Sequence, residues 1–165
     1  MSNLPAAVAG TAVAKAENAA EGMFVTMFVA GQMFGIPVLQ VQDVLGQQRI
    51  AHVPLAPTEV LGSLNLRGRI VTALDARLRL GLPAREGGEE ESMSVVVECG
   101  DELYSIVVDK VGEVMSLPAA DYERNPSTLD SRWAEVSDGI YRLKDTLLVV
   151  LDIARFLRIE QARAA

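Results

Sequence analysis

Phe34-Gly35-Ile36-Pro37-Val38-Leu39-Gln40-Val41-Gln42-Asp43-Val44 decides the fold, because it returns seventy positions later as Tyr104-Ser105-Ile106-Val107-Val108-Asp109-Lys110-Val111-Gly112-Glu113-Val114. In both copies apolar side chains alternate at period two, over Phe34, Ile36 and Val38 and over Tyr104, Ile106 and Val108, as half-buried strands require. The spacing then stretches to Val41 and Val44, and to Val111 and Val114, so each strand bends there. Pro37 predicts an edge or a bulge near the first bend. A second correspondence has a different offset: Gly62, Leu66, Ile70, Val71, Leu74 and Asp75 recur seventy-seven positions later as Gly139, Leu143, Leu147, Leu148, Leu151 and Asp152. Two similar modules in one short chain must share a surface. That surface, and any difference between the copies, is where function is to be sought.

Working outward, Phe24 to Val29 is an apolar run of strand length before the turn residue Gly31, and Val95 to Val97 leads into a Gly100-Asp101 hairpin turn. Pro54 and Pro57 make Arg49 to Thr58 a loop. Asp75 and Asp152 each stand between a strand and a helical turn, the N-cap position, and their equivalence in the repeat favours capping over a catalytic carboxylate pair. Gly81 to Ser92, with Pro83, Gly87, Gly88 and three successive glutamates, reads as the linker between modules. The offsets differ by seven, and those surplus residues fall in the polar, Pro-containing stretch from Leu117 to Asp138. Several short strands and little helix per module favour two small barrels over a sandwich or an α/β sheet.

With 165 residues the chain has room for one domain or two small ones sharing a core, and 50% hydrophobic residues give it ample apolar surface to bury. The net charge of −7 argues against a general nucleic-acid binder. Cys99 is the only cysteine, which excludes an intrachain disulfide and a thiolate-rich metal site; after Val95 to Val97 it reads as a buried strand thiol. A single histidine, His52, leaves little for a triad or a metal cluster and reads as an exposed loop residue. No phosphate-cradling glycine motif is present, so neither an enzyme nor a cofactor is expected. No apolar run approaches the roughly 18 residues of a membrane span. The Ala-rich residues 1–21 lack the pattern of a secretory signal, so they read as a flexible tail on a cytoplasmic protein with no direct membrane insertion.

One stretch has local chemical character. Gly62-Ser63-Leu64-Asn65-Leu66-Arg67-Gly68-Arg69 places a guanidinium beside a glycine on a turn between apolar segments. Arg67, Arg69, Arg77 and Arg79 lie within 13 residues, opposed in sequence only by Asp75. They predict a local positive patch that meets an acidic partner surface, where an arginine fork holds a carboxylate well.

The order Phe34-Gly35-Ile36-Pro37-Val38, Val41-Gln42-Asp43-Val44, Val53-Pro54, Gly62 to Val71 and Leu74-Asp75 resembles the CheW-like chemotaxis coupling proteins. Val107 to Val114 and the ending Leu148-Val149-Val150-Leu151-Asp152-Ile153 are similar too, so the resemblance covers about residues 22–159. Ser63, Thr72-Ala73 and Ala76 depart from the usual pattern at turn or core positions. The resemblance implies a mainly β chain of two five-stranded SH3-like barrels packed around a shared core, with short helical segments and a short C-terminal helix. It places a first barrel at about 36–85 and a second at about 93–150, leaves room for terminal segments to be exchanged between them, and makes 160–165 a C-terminal tail. It implies a non-enzymatic adaptor that is monomeric when free. Its partners are the regulatory domain of the histidine kinase CheA and the cytoplasmic tip of methyl-accepting chemoreceptors, the latter in an apolar groove between barrels. The implied partner-interface residues are Val41, Asp43, Gly62, Asn65 and Arg67. The alternatives are a small β-barrel binding module for an anionic ligand, or a CheW-like regulatory domain derived from a larger kinase. A fusion adaptor with a receiver domain is not expected, since the sequence ends at Ala165. The copies differ at one turn: Asn65-Leu66-Arg67-Gly68 becomes Arg142-Leu143-Lys144-Asp145. The unshared turn is the expected place of the partner.

Overall fold

The computed structural model describes residues 22–84 and 92–158. The expected N-terminal tail, the 160–165 tail and most of the expected linker lie outside the described residues. The elements in chain order are β1 (Met23–Val29), β2 (Gln32–Pro37), β3 (Val41–Leu45), β4 (Val60–Leu66), β5 (Arg69–Asp75), α1 (Ala76–Arg79), β6 (Met93–Cys99), β7 (Glu102–Val108), β8 (Lys110–Ser116), β9 (Tyr122–Glu123), α2 (Ser131–Val136), β10 (Ser137–Arg142), β11 (Leu147–Leu151) and α3 (Ile153–Phe156). Short 3-10 turns occupy Val38–Gln40 and Ala119–Asp121.

The strands form two sheets, a five-stranded one ordered β3-β6-β7-β5-β4 and a six-stranded one ordered β8-β1-β2-β11-β10-β9. Set aside the two-residue β9, and the two orders correspond strand for strand under the sequence repeat. The correspondence shows that each repeat sends its leading hairpin into the other repeat's sheet. The β6–β7 hairpin lies between β3 and β5, and the β1–β2 hairpin lies between β8 and β11. The seams include parallel pairs, β5 with β7 and β11 with β2. Of the expected second barrel, about 93–150, residues 93–108 pair with β3 to β5 of the first, about 36–85, an exchange for which the resemblance leaves room. The reason is that β6 and β7 pair locally as a hairpin and find their outer partners in the first repeat, so the chain changes sheet between β7 and β8.

This exchange explains the continuous apolar runs. Val96 enters the core of the five-stranded unit with Leu64, Val71, Ala73 and Leu103, whereas Val95 and Val97 enter the core shared between the sheets. In β11, Leu148 and Val150 pack with Phe24 and Tyr141, whereas Val149 and Leu151 face the shared core. Strands buried on both faces lose the polar half of the alternation. The shared core also takes Phe34, Ile36, Ile106, Val108, and Ala76, Ile153 and Phe156 from the helices. Cys99, at the end of β6, is half-buried rather than buried, because the strand emerges from the core there.

The five-stranded sheet is joined across its edges by the chain beyond β3. The Ala51 amide donates to the Ser63 carbonyl at 2.7 Å, and the Ser63 amide donates to the Ala51 carbonyl at 2.9 Å. Gly62 makes this approach possible: its φ is +150°, and a Cβ there would overlap the Ala51 carbonyl. Asp75 and Asp152 are caps. Asp75 Oδ1 accepts the amides of Arg77 at 2.8 Å and Leu78 at 3.4 Å, and Asp152 Oδ1 accepts the Arg155 amide at 3.1 Å. Burial pushes the Asp152 carboxyl up, but the Arg155 amide and guanidinium outweigh it and hold the group below its ordinary value. The stretch from Leu117 to Asp138 that holds the surplus contains β9 and α2, the latter capped by Asp130, with Trp133 edge-on to Phe34 at 5.6 Å between centroids.

Leu55 is a local conflict. Its φ is +62° and its side chain is fully exposed, at 104%, between Pro54 and Pro57. A left-handed leucine costs roughly 1–2 kcal/mol relative to a residue that tolerates the region, and no packing offsets it here. Leu55→Gly is expected to raise stability by about 0.5–1 kcal/mol in urea unfolding. A loss of stability would show that the leucine is held by contacts that its exposure denies.

Candidate protein–protein interface

The β4–β5 hairpin turns on Arg67 and Gly68, whose φ values are +53° and +86°. Two consecutive left-handed residues make the tight turn whose twist matches its strands. Asn65 is the device that holds it, since its Oδ1 accepts the Gly68 amide at 3.0 Å. In the second repeat the Leu143 amide closes the corresponding turn onto the Thr146 carbonyl at 2.8 Å, with Lys144 and Asp145 outside the left-handed region. The turn is thus unshared in conformation as well as in sequence.

Arg67 Nη2 donates to Asp43 Oδ2 at 3.0 Å, with side-chain exposures of 79% and 24%. Asp43 follows a bulge between Val41 and Asp43 in the β3–β6 pairing. Since β3 and β4 are opposite edges of the sheet, this ion pair marks where the edges approach. The structure brings Asp43, Asn65 and Arg67 together. Val41 stands at the foot of the group, half-buried, in register with Val97 and packed against the shared core. Gly62 is buried, so it shapes the sheet beneath the site instead of offering a contact surface.

The expected arginine patch does not form. Arg69 Nη1 lies 3.8 Å from Glu98 Oε2, and Arg77 grips Asp109. Arg79 donates to the carbonyls of Phe156 at 2.7 Å and Arg155 at 3.0 Å, and its guanidinium sits 5.7 Å from the Phe156 ring centroid. Burial pulls Arg79 below its ordinary value, against the raising effect of Glu59 and Glu135. The opposing acids come from segments distant in sequence, which a count over 13 residues does not reach.

Beside the hairpin lies a shallow groove of about 400 Å³ lined by Arg69, Ile70, Thr72, Asp101, Glu102 and Leu103. Ile70 is 70% exposed. Ile70 and Val71 point to opposite faces of β5, and it is Val71 that is buried. Around Ile70 stand charges of both signs, from Arg69, Asp101 and Glu102. His52 is exposed, and among the described residues no cluster of His, Cys, Asp and Glu could hold a metal ion. Among them, too, no helix is long and apolar enough to cross a membrane.

The family model described as the CheW-like domain matches residues 23–161. Chemotaxis protein CheW of Klebsiella aerogenes is 30% identical over 140 residues, covering 84% of this chain and 82% of that protein. The chemotaxis protein CheW of Bacillus subtilis is 27% identical over 145 residues, with 88% and 92% coverage. The crystal structure of the scaffolding protein TtCheW from Thermoanaerobacter tengcongensis superposes with a TM-score of 0.71 at 25% identity, covering 80% of this chain and 89% of that one. Repeat, sheet order and comparisons agree, and the chain belongs to the CheW-like family of chemotaxis adaptors.

Proposed function

We propose that this chain is a non-enzymatic adaptor that holds the cytoplasmic tip of a methyl-accepting chemoreceptor and the regulatory domain of the histidine kinase CheA in register. It is a monomer when free and is recruited from the cytoplasm to membrane-associated receptor arrays. Nothing is turned over: receptor conformation shifts an equilibrium of the kinase, and the adaptor carries the coupling. Val41, Asp43, Asn65 and Arg67, with Gly62 shaping the strand beneath them, form the partner interface. The observation that carries this reading is Arg67, which is exposed yet pre-aimed by a rigid turn and tethered through Asp43 to the opposite sheet edge. Fixing such a side chain before binding reduces the entropy lost on association. The rival reading, a barrel for a small anionic ligand, needs converging cations. Arg67, Arg69, Arg77 and Arg79 instead meet separate acids and carbonyls.

A pull-down tests the proposal. The purified chain should retain a receptor tip fragment and the kinase regulatory domain together in one complex. Retention of neither would overturn the adaptor reading, as would competition of both by millimolar inorganic phosphate.

A further inference from the structure

The chain passes from one sheet to the other twice, and the two crossings are built differently. Between β2 and β3 it uses the 3-10 turn Val38–Gln40; between β7 and β8 it uses the single residue Asp109. Under the seventy-residue offset Asp109 corresponds to Leu39. Asp109 Oδ1 accepts Arg77 Nε at 2.9 Å. Its Oδ2 accepts Arg77 Nη2 at 2.7 Å and the Ala30 amide at 2.8 Å. Its own amide donates to the Phe28 carbonyl at 3.1 Å. Arg77 belongs to α1, which extends the five-stranded sheet, while Phe28 and Ala30 belong to the β1–β2 hairpin of the six-stranded sheet.

One carboxylate therefore joins both sheets at the point where the backbone crosses. The two side chains are only 21% and 23% exposed, and the contact is a bidentate fork, the geometry in which an arginine–carboxylate pair is strong and directional. The repeat supplies its own control. Arg77 corresponds to Ala154 under the seventy-seven-residue offset, so the matching pair at the other crossing is Leu39 with Ala154. That pair cannot make the contact, and Leu39 is 57% exposed. Cation placement in the helices repeats the asymmetry. Arg77 and Arg79 of α1 reach across to the other unit, whereas Arg155 of α3 turns back to Asp152, at 3.0 Å, within its own.

We infer that Arg77, Asp109 and the Ala30 amide form a lock that fixes the two sheets relative to each other at one crossing, beside the tie that Arg79 makes to α3, while the Val38–Gln40 crossing lacks such a carboxylate and acts as the hinge. The duplication kept the strands and placed the lock on one side only. Relative motion of the sheets is then a small rotation about the locked crossing, taken up at the unlocked one. For an adaptor, the lock sets the register between a partner on one sheet and a partner on the other; this consequence rests on the proposed function.

The test measures inter-sheet distance directly. With Cys99→Ser as background, spin labels at Glu98 on the five-stranded sheet and Glu113 on the six-stranded sheet report a distance distribution. Arg77→Met and Asp109→Asn should broaden it about twofold. Arg77→Lys, which keeps the charge and loses the fork, should broaden it to an intermediate width. Leu39→Asp combined with Ala154→Arg places a second lock at the free crossing and should narrow the distribution below that of the parent. Unchanged widths in folded Arg77→Met, or no narrowing in the double variant, would overturn the lock. If Arg77→Met does not fold, the double variant still decides the question. In the binding arm, Arg77→Lys should leave each partner's separate affinity within about twofold and reduce formation of the ternary complex about fivefold or more. Broadened distances with undiminished ternary complex would keep the lock and remove its role in register, whereas loss of both binary affinities would count against the adaptor reading itself.

Discussion

Replacing Gly62 by alanine is expected to lower the unfolding free energy by about 3–5 kcal/mol, the range of substitutions that break a specific packing arrangement. Gly62 sits at φ +150°, a backbone state that side chains rarely adopt, and a Cβ would overlap both the oxygen and the carbon of the Ala51 carbonyl. Neither atom belongs to a flexible side chain. Relief requires β4 to separate from Ala51, which breaks the two hydrogen bonds of the Ala51–Ser63 bridge and frees the loop that joins the sheet edges. Gly68→Ala is the internal comparison. Its φ is +86°, but nothing lies within 4 Å of a Cβ there, so the cost is that of the left-handed region alone, about 1 kcal/mol. Urea unfolding of the two variants separates strain from collision. Equal losses would mean that the close approach of Ala51 contributes nothing. The comparison also decides how binding defects at position 62 are to be interpreted, since a residue buried beneath the site acts through the sheet it shapes.

The elements were legible in the sequence because each depends on neighbours in the chain. Period-two alternation in β2 and β7, aspartates placed before α1 and α3, and glycine turns are local signals, and the repeat doubles each of them. The exchange of hairpins was not legible in the residues themselves and entered only through the resemblance, which leaves room for terminal segments to be exchanged. A β6 strand with Val95 and Val97 on one face and Val96 on the other has the same sequence whichever repeat supplies its outer neighbours, and the pairing of β3 with β6 spans the linker. The helix α2 escaped for a different reason. Six residues in a polar stretch carry too few apolar positions for a helical period, although Asp130 before Ser131, with Trp133 and Val136 three apart, is the signal that was present.

For the site, candidate residues could be named from the sequence but their pairing could not. Asp43 and Arg67 were both candidates, but their contact depends on a sheet rolled far enough to bring β3 toward the β4–β5 turn. The arginine cluster failed as a patch for the same reason: Asp43, Glu98 and Asp109 are remote in sequence and adjacent in space. Charge counted along a chain predicts a surface only where the fold brings no counter-charge, and sheets built from exchanged hairpins bring several. Arg67 is the most exposed of the paired arginines, at 79% against 53% for Arg69 and 21% for Arg77.

Arg67→Asp should leave the fold in place and abolish receptor control of the kinase in a reconstituted complex. An ion pair with one side chain 79% exposed contributes about 0–1 kcal/mol, so its loss is small for stability. The substitution also moves an aspartate into the left-handed region, which that residue tolerates better than arginine does, offsetting part of the loss. At an interface the balance reverses. A pre-aimed arginine at the centre of a contact commonly carries about 2 kcal/mol or more, roughly 30-fold in affinity, and the new carboxylate adds repulsion toward an acidic partner. Thermal unfolding should therefore shift little while partner affinity falls by that factor. The double variant Asp43→Arg with Arg67→Asp separates two causes. It restores an ion pair between the same positions with the charges exchanged. If the pair matters only because it ties β3 to the hairpin, binding returns in the double variant. If the guanidinium itself meets the partner, stability returns and binding does not, which is the expected result. Full receptor control in Arg67→Asp would remove this residue from the interface and leave Ile70 and the neighbouring groove as the surface to test.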